Sequence, residues 1–331
     1  MAKRTAGRVA LIAGVMTVAV LASGCNGALS AKRDRDRGDK SVSQRKPATA
    51  AQVTRAEAEK VMDRYERINN AANKKQDAAL LATIEAGNLL ERDKATYEQF
   101  ETLSKKDKDA YRQGFTYHKR TYLIPAGANW FAVTATPTYS EETQLVVFEK
   151  KSGTWKMTAS VWPKEELPEL AKGAGGRAVA AGLGAKSGPL APNELTNAYE
   201  DVFETGGRKD GKVFGPSSTL SGTKKIHRDR GKELGPGARV TFFETEPAHT
   251  ETYALKTADG GVLAIAPLSH KIETLVTRPG LEITPSDTEA VYDSRRRPVV
   301  ITDLHGQGLF HLPARGRPTS LDVTYEIVDS H

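Results

Sequence analysis

The spacing of apolar residues predicts a helical start to the folded part of the chain. From Thr54 onward apolar residues recur three and four positions apart, which is typical of an amphipathic helix. Thr54 and Glu57 have the spacing of a capping box, in which a hydroxyl and a carboxylate bond the first backbone amides. A shorter helix is predicted after Asp77, a third over residues 94–103, and one or two further turns over 104–111.

After Gly114 the apolar period falls to two, which is typical of half-buried strands. Strands are predicted over residues 115–124, 129–136, 143–150 and 154–162. The last two form a hairpin, with Gly153 available for a positive φ near the turn. Residues 53–163 are therefore predicted to be an α+β domain, with N-terminal helices packed on a curved antiparallel sheet.

Residues 164–193 follow neither period and are rich in glycine, alanine and proline, so they are predicted to be a linker or a loosely packed connection. Within them, Gly184-Ala185-Lys186-Ser187 superficially resembles a phosphate-binding loop. It lacks the required Gly-Lys-Ser/Thr and follows no buried strand, so that interpretation is rejected.

Residues 194–331 are predicted to be a second α+β domain, mostly antiparallel β, with one leading helix. An apolar stripe that includes Leu195, Tyr199 and Phe203 defines this helix, which ends at Gly206-Gly207. The charged stretch 217–234 is compatible with a short helix. Strands are predicted over residues 240–244, 252–257, 262–266, 299–304, 308–312 and 321–328.

The N-terminus has the layout of a secretory signal peptide, predicted to cover residues 1–24. Lys3, Arg4 and Arg8 precede an uncharged apolar run over residues 9–22. The run is roughly 14 residues long, whereas a membrane-spanning helix needs about 20. An uncleaved anchor, or an ordinary signal peptide followed by a chance cysteine, remains the alternative.

The small residues Ala22, Ser23 and Gly24 directly before Cys25 resemble the lipobox of bacterial lipoproteins, although many lipoboxes have leucine where Ala22 stands. The resemblance implies cleavage between Gly24 and Cys25 and a diacylglyceryl group on the Cys25 thiol. The protein would then be anchored to the outer, extracytoplasmic face of the cell membrane. Cys25 is the only cysteine, so the folded part has no disulfide and no thiol for catalysis or metal binding.

The basic charge of the chain is concentrated near the predicted anchor. Of 48 basic residues, ten precede residue 47, and with three of the 41 acidic residues also there, 38 of each sign remain. A nucleic-acid-binding domain would carry the excess itself, so no nucleic-acid partner is predicted. Residues 25–52 lack aromatic residues and have few large aliphatic ones, which predicts a disordered basic tether beside the membrane.

Candidate chemical sites are weak. Asp303, His305 and His311 lie close in sequence and have zinc-ligand chemistry, but nearby glycines indicate a turn and two histidines do not complete a site. A serine hydrolase elbow of the form Gly-x-Ser-x-Gly is absent. Four residues could line a pocket of the first domain, although aromatic residues at such spacings are more often core: Tyr65, His118, Trp130 and Trp162. No catalytic residue, metal or cofactor is predicted.

Several segments together resemble an uncharacterised group of actinobacterial secreted lipoproteins that carry a domain of unknown function. Besides the lipobox, they are residues 54–59, 121–125, 198–201, 204–207, 259–264 and 289–293. The order of elements in the first domain also resembles the nuclear transport factor 2-like cone. The family resemblance implies a shared localisation and fold but no reaction, and it assigns a role to Cys25 alone.

The sequence favours a non-enzymatic, lipid-anchored protein that binds an unidentified extracytoplasmic ligand or protein. An alternative is a cone-fold enzyme that acts on a small molecule through a pocket histidine or acid such as His118. A third interpretation is a structural envelope protein. A deep polar pocket would favour the enzyme, and an exposed apolar patch would favour the structural protein.

Overall fold

The computed structural model describes residues 53–331 and the backbone of Val20–Ala22. Val20–Ala22 is strand β1 and pairs antiparallel with a later strand, Leu281–Ile283. This short strand belongs to the predicted signal peptide. The predicted cleavage and lipidation site at Gly24 and Cys25, and the predicted tether over residues 25–52, lie outside the described residues.

Four helices begin the first half: α1 (Arg55–Lys75), α2 (Ala78–Leu81), α3 (Gly87–Glu98) and α4 (Lys105–Arg112). Thr54 caps α1, and the capping box with Glu57 is present. The third helix begins at Gly87 and not near residue 94. Its inward face carries Asn88, Arg92 and Thr96, so apolar periodicity alone does not reveal it.

Four antiparallel strands complete the first half, in the spatial order in which they follow one another: β2 (Tyr117–Leu123), β3 (Trp130–Pro137), β4 (Gln144–Lys151) and β5 (Thr154–Val161). The helices cover one face of this sheet. Met62 and Tyr65 of α1 pack there with Phe131, Phe148 and Met157, all of them buried.

The second half has two helices, α5 (Leu195–Thr205) and α6 (Ser218–Asp229), and six strands. The strands are β6 (Ala238–Glu244), β7 (Tyr253–Lys256), β8 (Val262–Val276), β9 (Leu281–Ile283), β10 (Val299–Leu312) and β11 (Thr319–Ser330). Five of them form an antiparallel sheet in the order β11-β10-β8-β6, with β7 also paired to β8. Short 3-10 segments occupy Gln99–Thr102, Ala174–Gly176, Pro192–Glu194, Asp210–Val213, Lys232–Gly237 and Glu289–Val291.

The two sheets pack face to face, so the described layers run helix, sheet, sheet, helix. Leu145 and Val147 of the first sheet share a buried core with Ile265, Leu309 and Leu321 of the second. The opposite face of the second sheet is covered by α5 and α6, whose buried side chains form another core. Apolar contact between the sheets therefore joins the two halves.

Residues 164–193, predicted to be a linker, pair with the second sheet. The amide of Ala171 donates to the carbonyl of Lys256, and the amide of Ala181 donates to that of Ala254. Both acceptors lie on β7, whose outer edge this segment therefore covers. Backbone pairing needs no side-chain pattern, which is why a segment rich in glycine and alanine can be held in this way.

The predicted α+β class is confirmed, with helices and antiparallel sheets in both halves. Among the described residues, no helix is both long enough and apolar enough to cross a membrane.

Candidate functional site: the polar seam between the halves

The structure does not bring the proposed pocket residues together. Tyr65 lies in the core beneath the helices, where its ring meets Phe148 edge-on at 5.7 Å. Trp130 lies on the opposite face of the first sheet and packs against Tyr253, with ring centroids 5.4 Å apart. His118 is exposed on β2. These three residues line no common cavity.

Trp162, the fourth proposed pocket residue, is half-buried at the end of the first half. Its backbone amide donates to a carboxylate oxygen of Asp322 at 2.8 Å. Its ring lies 6.3 Å from that of Tyr139. Trp162 therefore connects the first half to β11 through a backbone hydrogen bond.

The three weak candidate zinc ligands, Asp303, His305 and His311, each contact a different residue. Asp303 lies 3.1 Å from the Lys271 ammonium, and His311 lies 3.9 Å from Asp259. His305 bonds to Glu91 of the first half. The contact between His305 and Glu91 is the centre of the candidate functional site described next.

The polar seam is the surface where α3 meets the second half. We define it by Glu91 and Arg92 of α3, His305 and Gln307 of β10, Glu326 of β11, and His249 of the loop 245–252. His305 and Gln307 alternate with residues that face α5 and α6, so their side chains point toward the first half. The seam is the polar continuation of the apolar contact between the two sheets.

A single carboxylate at the seam joins three segments of the chain. Glu91 Oε1 lies 2.8 Å from His249 Nε2, and Glu91 Oε2 lies 2.9 Å from His305 Nδ1. The carboxylate and both imidazoles are one-fifth to two-fifths exposed. The two imidazole rings contact different oxygens of the Glu91 carboxylate, and each ring can donate one N–H to its oxygen.

Amides reinforce the seam. Gln307 donates to the carbonyl of Thr158 on β5 at 2.8 Å, and its side-chain oxygen accepts from Arg92 at 3.4 Å. Directly after α3, Gln99 donates to the phenol of Tyr292 at 3.0 Å. These bonds give the two halves a defined register, which apolar contact alone does not supply.

One ionisable group at the seam is strongly perturbed. Burial raises the pKa of Glu326 to about 7, with Arg92 lowering it and Asp93 raising it. Glu326 lies directly opposite His305 in the pairing of β10 with β11. A carboxyl that becomes neutral near pH 7 therefore stands beside the imidazole that bonds Glu91.

Two cavities of the described region are small. One of about 10 Å³ borders the seam and is lined by Gly87, Asn88, Thr158, His249, Glu251, Tyr253, Pro267 and Gln307. Another of about 10 Å³ lies between the two sheets beside Trp130 and Tyr253. Each has room for about one water molecule and not for a metabolite.

A second polar cluster is buried in the first half. The phenol of Tyr65 donates to Glu85 Oε1 at 2.8 Å, and Asn69 donates to the same oxygen at 3.4 Å. Burial raises the pKa of Glu85 well above its ordinary value, and the neighbouring charge of Asp93 adds to that rise. Glu85 Oε2 is buried without a hydrogen-bond partner.

A third polar cluster is buried in the second half. His270 Nδ1 lies 2.9 Å from Glu200 Oε2, and the phenol of Tyr325 donates to Glu200 Oε1 at 2.8 Å. The His270 ring stacks on Phe203 at 4.4 Å. Glu200 and His270 are almost fully enclosed, so this cluster links α5 to the sheet and is closed to a substrate.

Within residues 53–331, one group brings three potential metal ligands within 4.8 Å of one another: Asp303, Asp329 and His331. It lies at the surface, and the Lys271 ammonium already neutralises Asp303. The imidazoles of His249 and His305 do not form such a group with Glu91. The seam is an imidazole–carboxylate contact.

Sequence reasoning missed most of the seam. His305 was singled out for another chemistry, whereas Glu91, Arg92 and His249 were not, because their partners lie 158 to 215 residues away. The useful signal is the inward polar face of α3, since a buried helix face that carries Asn88 and Arg92 needs polar partners elsewhere.

Comparisons with known proteins place the chain in a family. It belongs to the family described as a domain of unknown function, DUF8094, which matches residues 49–330. It is 30% identical over 332 residues to an uncharacterized lipoprotein of Streptomyces coelicolor, covering 96% of this chain and 92% of that protein. The predicted resemblance to secreted lipoproteins with an unknown domain is thereby confirmed. No solved structure shows significant similarity, so the cone resemblance stays a prediction.

Proposed function

We propose that this chain is a lipoprotein anchored through Cys25 to the outer face of the cell membrane, and that it acts by binding an extracytoplasmic ligand or protein. The lipobox-like residues before Cys25 carry the proposal. The relative from Streptomyces coelicolor, named a lipoprotein, supports it. The even balance of charge beyond residue 46 is consistent with a soluble body on a basic tether.

The anchor is tested by Cys25→Ser, expressed in an actinobacterial host and followed by mass and by membrane fractionation. Loss of the thiol removes the attachment point of the lipid, so we expect the unprocessed precursor to accumulate and the lipidated form to disappear. Ala22→Leu is the matched control, since leucine is common at that lipobox position and processing should persist. Unchanged processing and fractionation of Cys25→Ser would refute the anchor.

Neither of the two cavities described above has room for a metabolite-sized molecule, so the proposal places binding on the outer surface of the body. Within residues 53–331, the exposed large apolar side chains are Tyr139, Leu183, Ile226, Phe243 and Val291. A structural envelope protein would need such side chains to form one extended patch.

The rival function, an enzyme in the first half, has one observation in its favour. Glu85 is a buried carboxyl with a raised pKa, as general acids often are. The test is to incubate the purified full chain with a small-molecule extract of the cell envelope and to compare masses before and after. We expect no product. A product whose formation Glu85→Gln abolishes would establish the enzyme instead.

A further inference from the structure

Basic residues are concentrated in the outer helical layer of the second half. Residues 206–232, from the end of α5 to just beyond α6, contain eight basic and two acidic residues. Residues 47–331 contain 38 of each sign, which leaves 30 basic and 36 acidic residues elsewhere in that stretch. The balanced charge of the chain beyond residue 46 therefore includes one strongly cationic region.

A buried carboxylate fixes the backbone of the loop that follows α5. Asp201 is 3% exposed, and its Oδ2 accepts from the amides of Lys209 and Gly211, both at 2.9 Å. Gly211 packs closely on α5, because a Cβ there would lie 2.9 Å from the carbonyl oxygen of Ala198. The loop is therefore ordered, and it carries three exposed basic side chains: Arg208, Lys209 and Lys212.

The helix α6 directs further basic side chains to solvent. Its inner side is fixed by Leu220, buried in the core, and by Thr223, whose hydroxyl oxygen lies 2.7 Å from the phenol oxygen of Tyr199. With about 3.6 residues per turn, Lys225 and Arg228 lie on the side of the helix opposite Thr223. Both are exposed.

The loop and α6 form one continuous basic surface. Lys224 Cε lies 3.6 Å from the position that a Cβ of Gly207 would take. Arg317, between β10 and β11, donates to the carbonyl oxygens of Lys212 and Val213. We call this surface the cationic face and define it by Arg208, Lys212, Lys224, Lys225, Arg228 and Arg317.

Most charges of the cationic face are not neutralised by the described chain. Lys225 and Arg228 share the carboxylate of Asp229. Among residues 53–331, the other four members form no ion pair with a carboxylate: Arg208, Lys212, Lys224 and Arg317. Exposed cations without an internal partner can bind an external anion.

We propose that the cationic face docks on the anionic lipid headgroups of the membrane to which the protein is anchored. This inference rests on the proposed lipid anchor. As a flexible coil, the predicted tether of residues 25–52 would reach about 30 Å, so the anchor keeps the body beside the bilayer. Basic residues are attracted to an anionic bilayer within about 10 Å at physiological salt. An acidic protein would match the same charges, but the anchor favours the membrane.

Docking in this way would orient the body. The described layers run helix, sheet, sheet, helix, and the cationic face belongs to the outer layer of the second half. The helices of the first half form the opposite outer layer. The first half would therefore point away from the bilayer, and its surface would be open to an extracytoplasmic ligand or protein.

The test uses the lipidated full chain in phosphatidylcholine vesicles, with or without about one-third phosphatidylglycerol. An amine-reactive ester labels the lysines, and mass spectrometry gives the rate at each site. We expect Lys212, Lys224 and Lys225 to be labelled about fivefold more slowly on anionic vesicles, and Lys74 of α1 at equal rates. In about 1 M NaCl the difference should vanish, because the Debye length falls to about 3 Å.

Arg208→Glu combined with Arg228→Glu tests the cationic face without removing the labelled lysines. Both positions are exposed, so the cores stay intact, and the ratio of the two labelling rates should fall close to unity. Lys106→Glu combined with Lys119→Glu is the matched control. It makes the same change of charge at two exposed positions of the first half and should keep the wild-type ratio.

Flotation with the vesicles reports the anchor separately from docking. Failure to float would refute the anchor. Equal labelling of floating chains on both kinds of vesicle would overturn docking alone. If added polyglutamate slows labelling on neutral vesicles while anionic vesicles do not, the cationic face binds an acidic protein and the proposal is also overturned.

Discussion

Glu85 shows how one buried carboxyl can make stability depend on pH. Its folded pKa lies well above the ordinary value because of burial and, next, the charge of Asp93. Above the unfolded pKa, the native state binds more protons than the unfolded state, so stability falls as the pH rises. We expect the unfolding free energy of Glu85→Gln to fall less steeply than that of the wild type between about pH 5 and pH 8.

Urea denaturation at several pH values measures this difference. Glutamine keeps the size of the side chain and its ability to accept from Tyr65, so packing should persist. Glu141→Gln, at an exposed position, is the control and should keep the wild-type slope. An unchanged slope in Glu85→Gln would show that Glu85 is ionised in the native state.

Gly306 lies between two seam residues, and its lack of a side chain lets β11 approach closely. A Cβ there would lie 2.5 Å from Tyr325 Cδ1 and 2.6 Å from the carbonyl oxygen of Thr324. We expect Gly306→Ala to lower the unfolding free energy by about 1–3 kcal/mol, as overpacking does. Gly222→Ala, in α6 with open space around it, should raise the unfolding free energy by about 0.5–1 kcal/mol. Thermal unfolding of both variants measures these changes in unfolding free energy. An unchanged unfolding free energy in Gly306→Ala would contradict the close approach of β11 at Gly306.

At the level of single residues, local features were predictable and distant ones were not. The Thr54–Glu57 capping box could be predicted because both partners lie within four residues of one another. The contacts of Glu91 could not, since the sequence does not show which of seven histidines a carboxylate will meet. Tertiary pairing of charged groups carries no local signal.

The segment 164–193 gives a prediction for one element. Ala171 and Ala181 donate to β7, so we expect their amides to exchange more slowly than that of Gly184, for which we see no such pairing. Site-resolved hydrogen exchange of the full chain measures this difference. The amide of Lys256, which donates to the carbonyl of Val179, provides an internal reference. Equally fast exchange of the alanines and Gly184 would mean that the segment is a free linker.

Element boundaries were predictable where periodicity and packing agree. The hairpin of β4 and β5 has runs of strand length on both sides of Gly153 and was predicted within a few positions. By contrast, β10 was predicted as two strands, because Gly306 and Gly308 suggested a turn. The structure keeps one strand there, since β8 and β11 pair with it on both sides and leave no edge for a turn.

At the level of the whole molecule, the alternation of apolar and polar residues identified one buried face of each sheet. It did not show that the other face is also buried. The run Leu145-Val146-Val147-Phe148 is apolar at every position, which is typical of a strand covered on both sides. Its alternate residues do pack on opposite faces, Val146 and Phe148 under the helices and Leu145 and Val147 against the second sheet. The partner of the outer face was not predictable, because it lies in the other half of the chain.

The shared core between the sheets predicts that the halves unfold together. All three tryptophans, Trp130, Trp155 and Trp162, lie in the first half, so their fluorescence reports its unfolding. Leu309, fully buried in the second half, contacts this core from the other side. We expect Leu309→Ala to cost about 2–5 kcal/mol and to move the fluorescence and circular dichroism transitions to the same lower temperature.

Leu220→Ala is the matched control for that experiment, because Leu220 is buried in the core between α6 and the far face of the second sheet. If the molecule unfolds as one unit, this variant should also shift the fluorescence of the first half. If the halves unfold independently, the fluorescence transition will stay in place in Leu220→Ala while circular dichroism shows an earlier step. If the fluorescence transition shifts in Leu309→Ala but not in Leu220→Ala, the coupling is confined to the contact between the two sheets. The outer helical layer would then unfold separately from the two packed sheets.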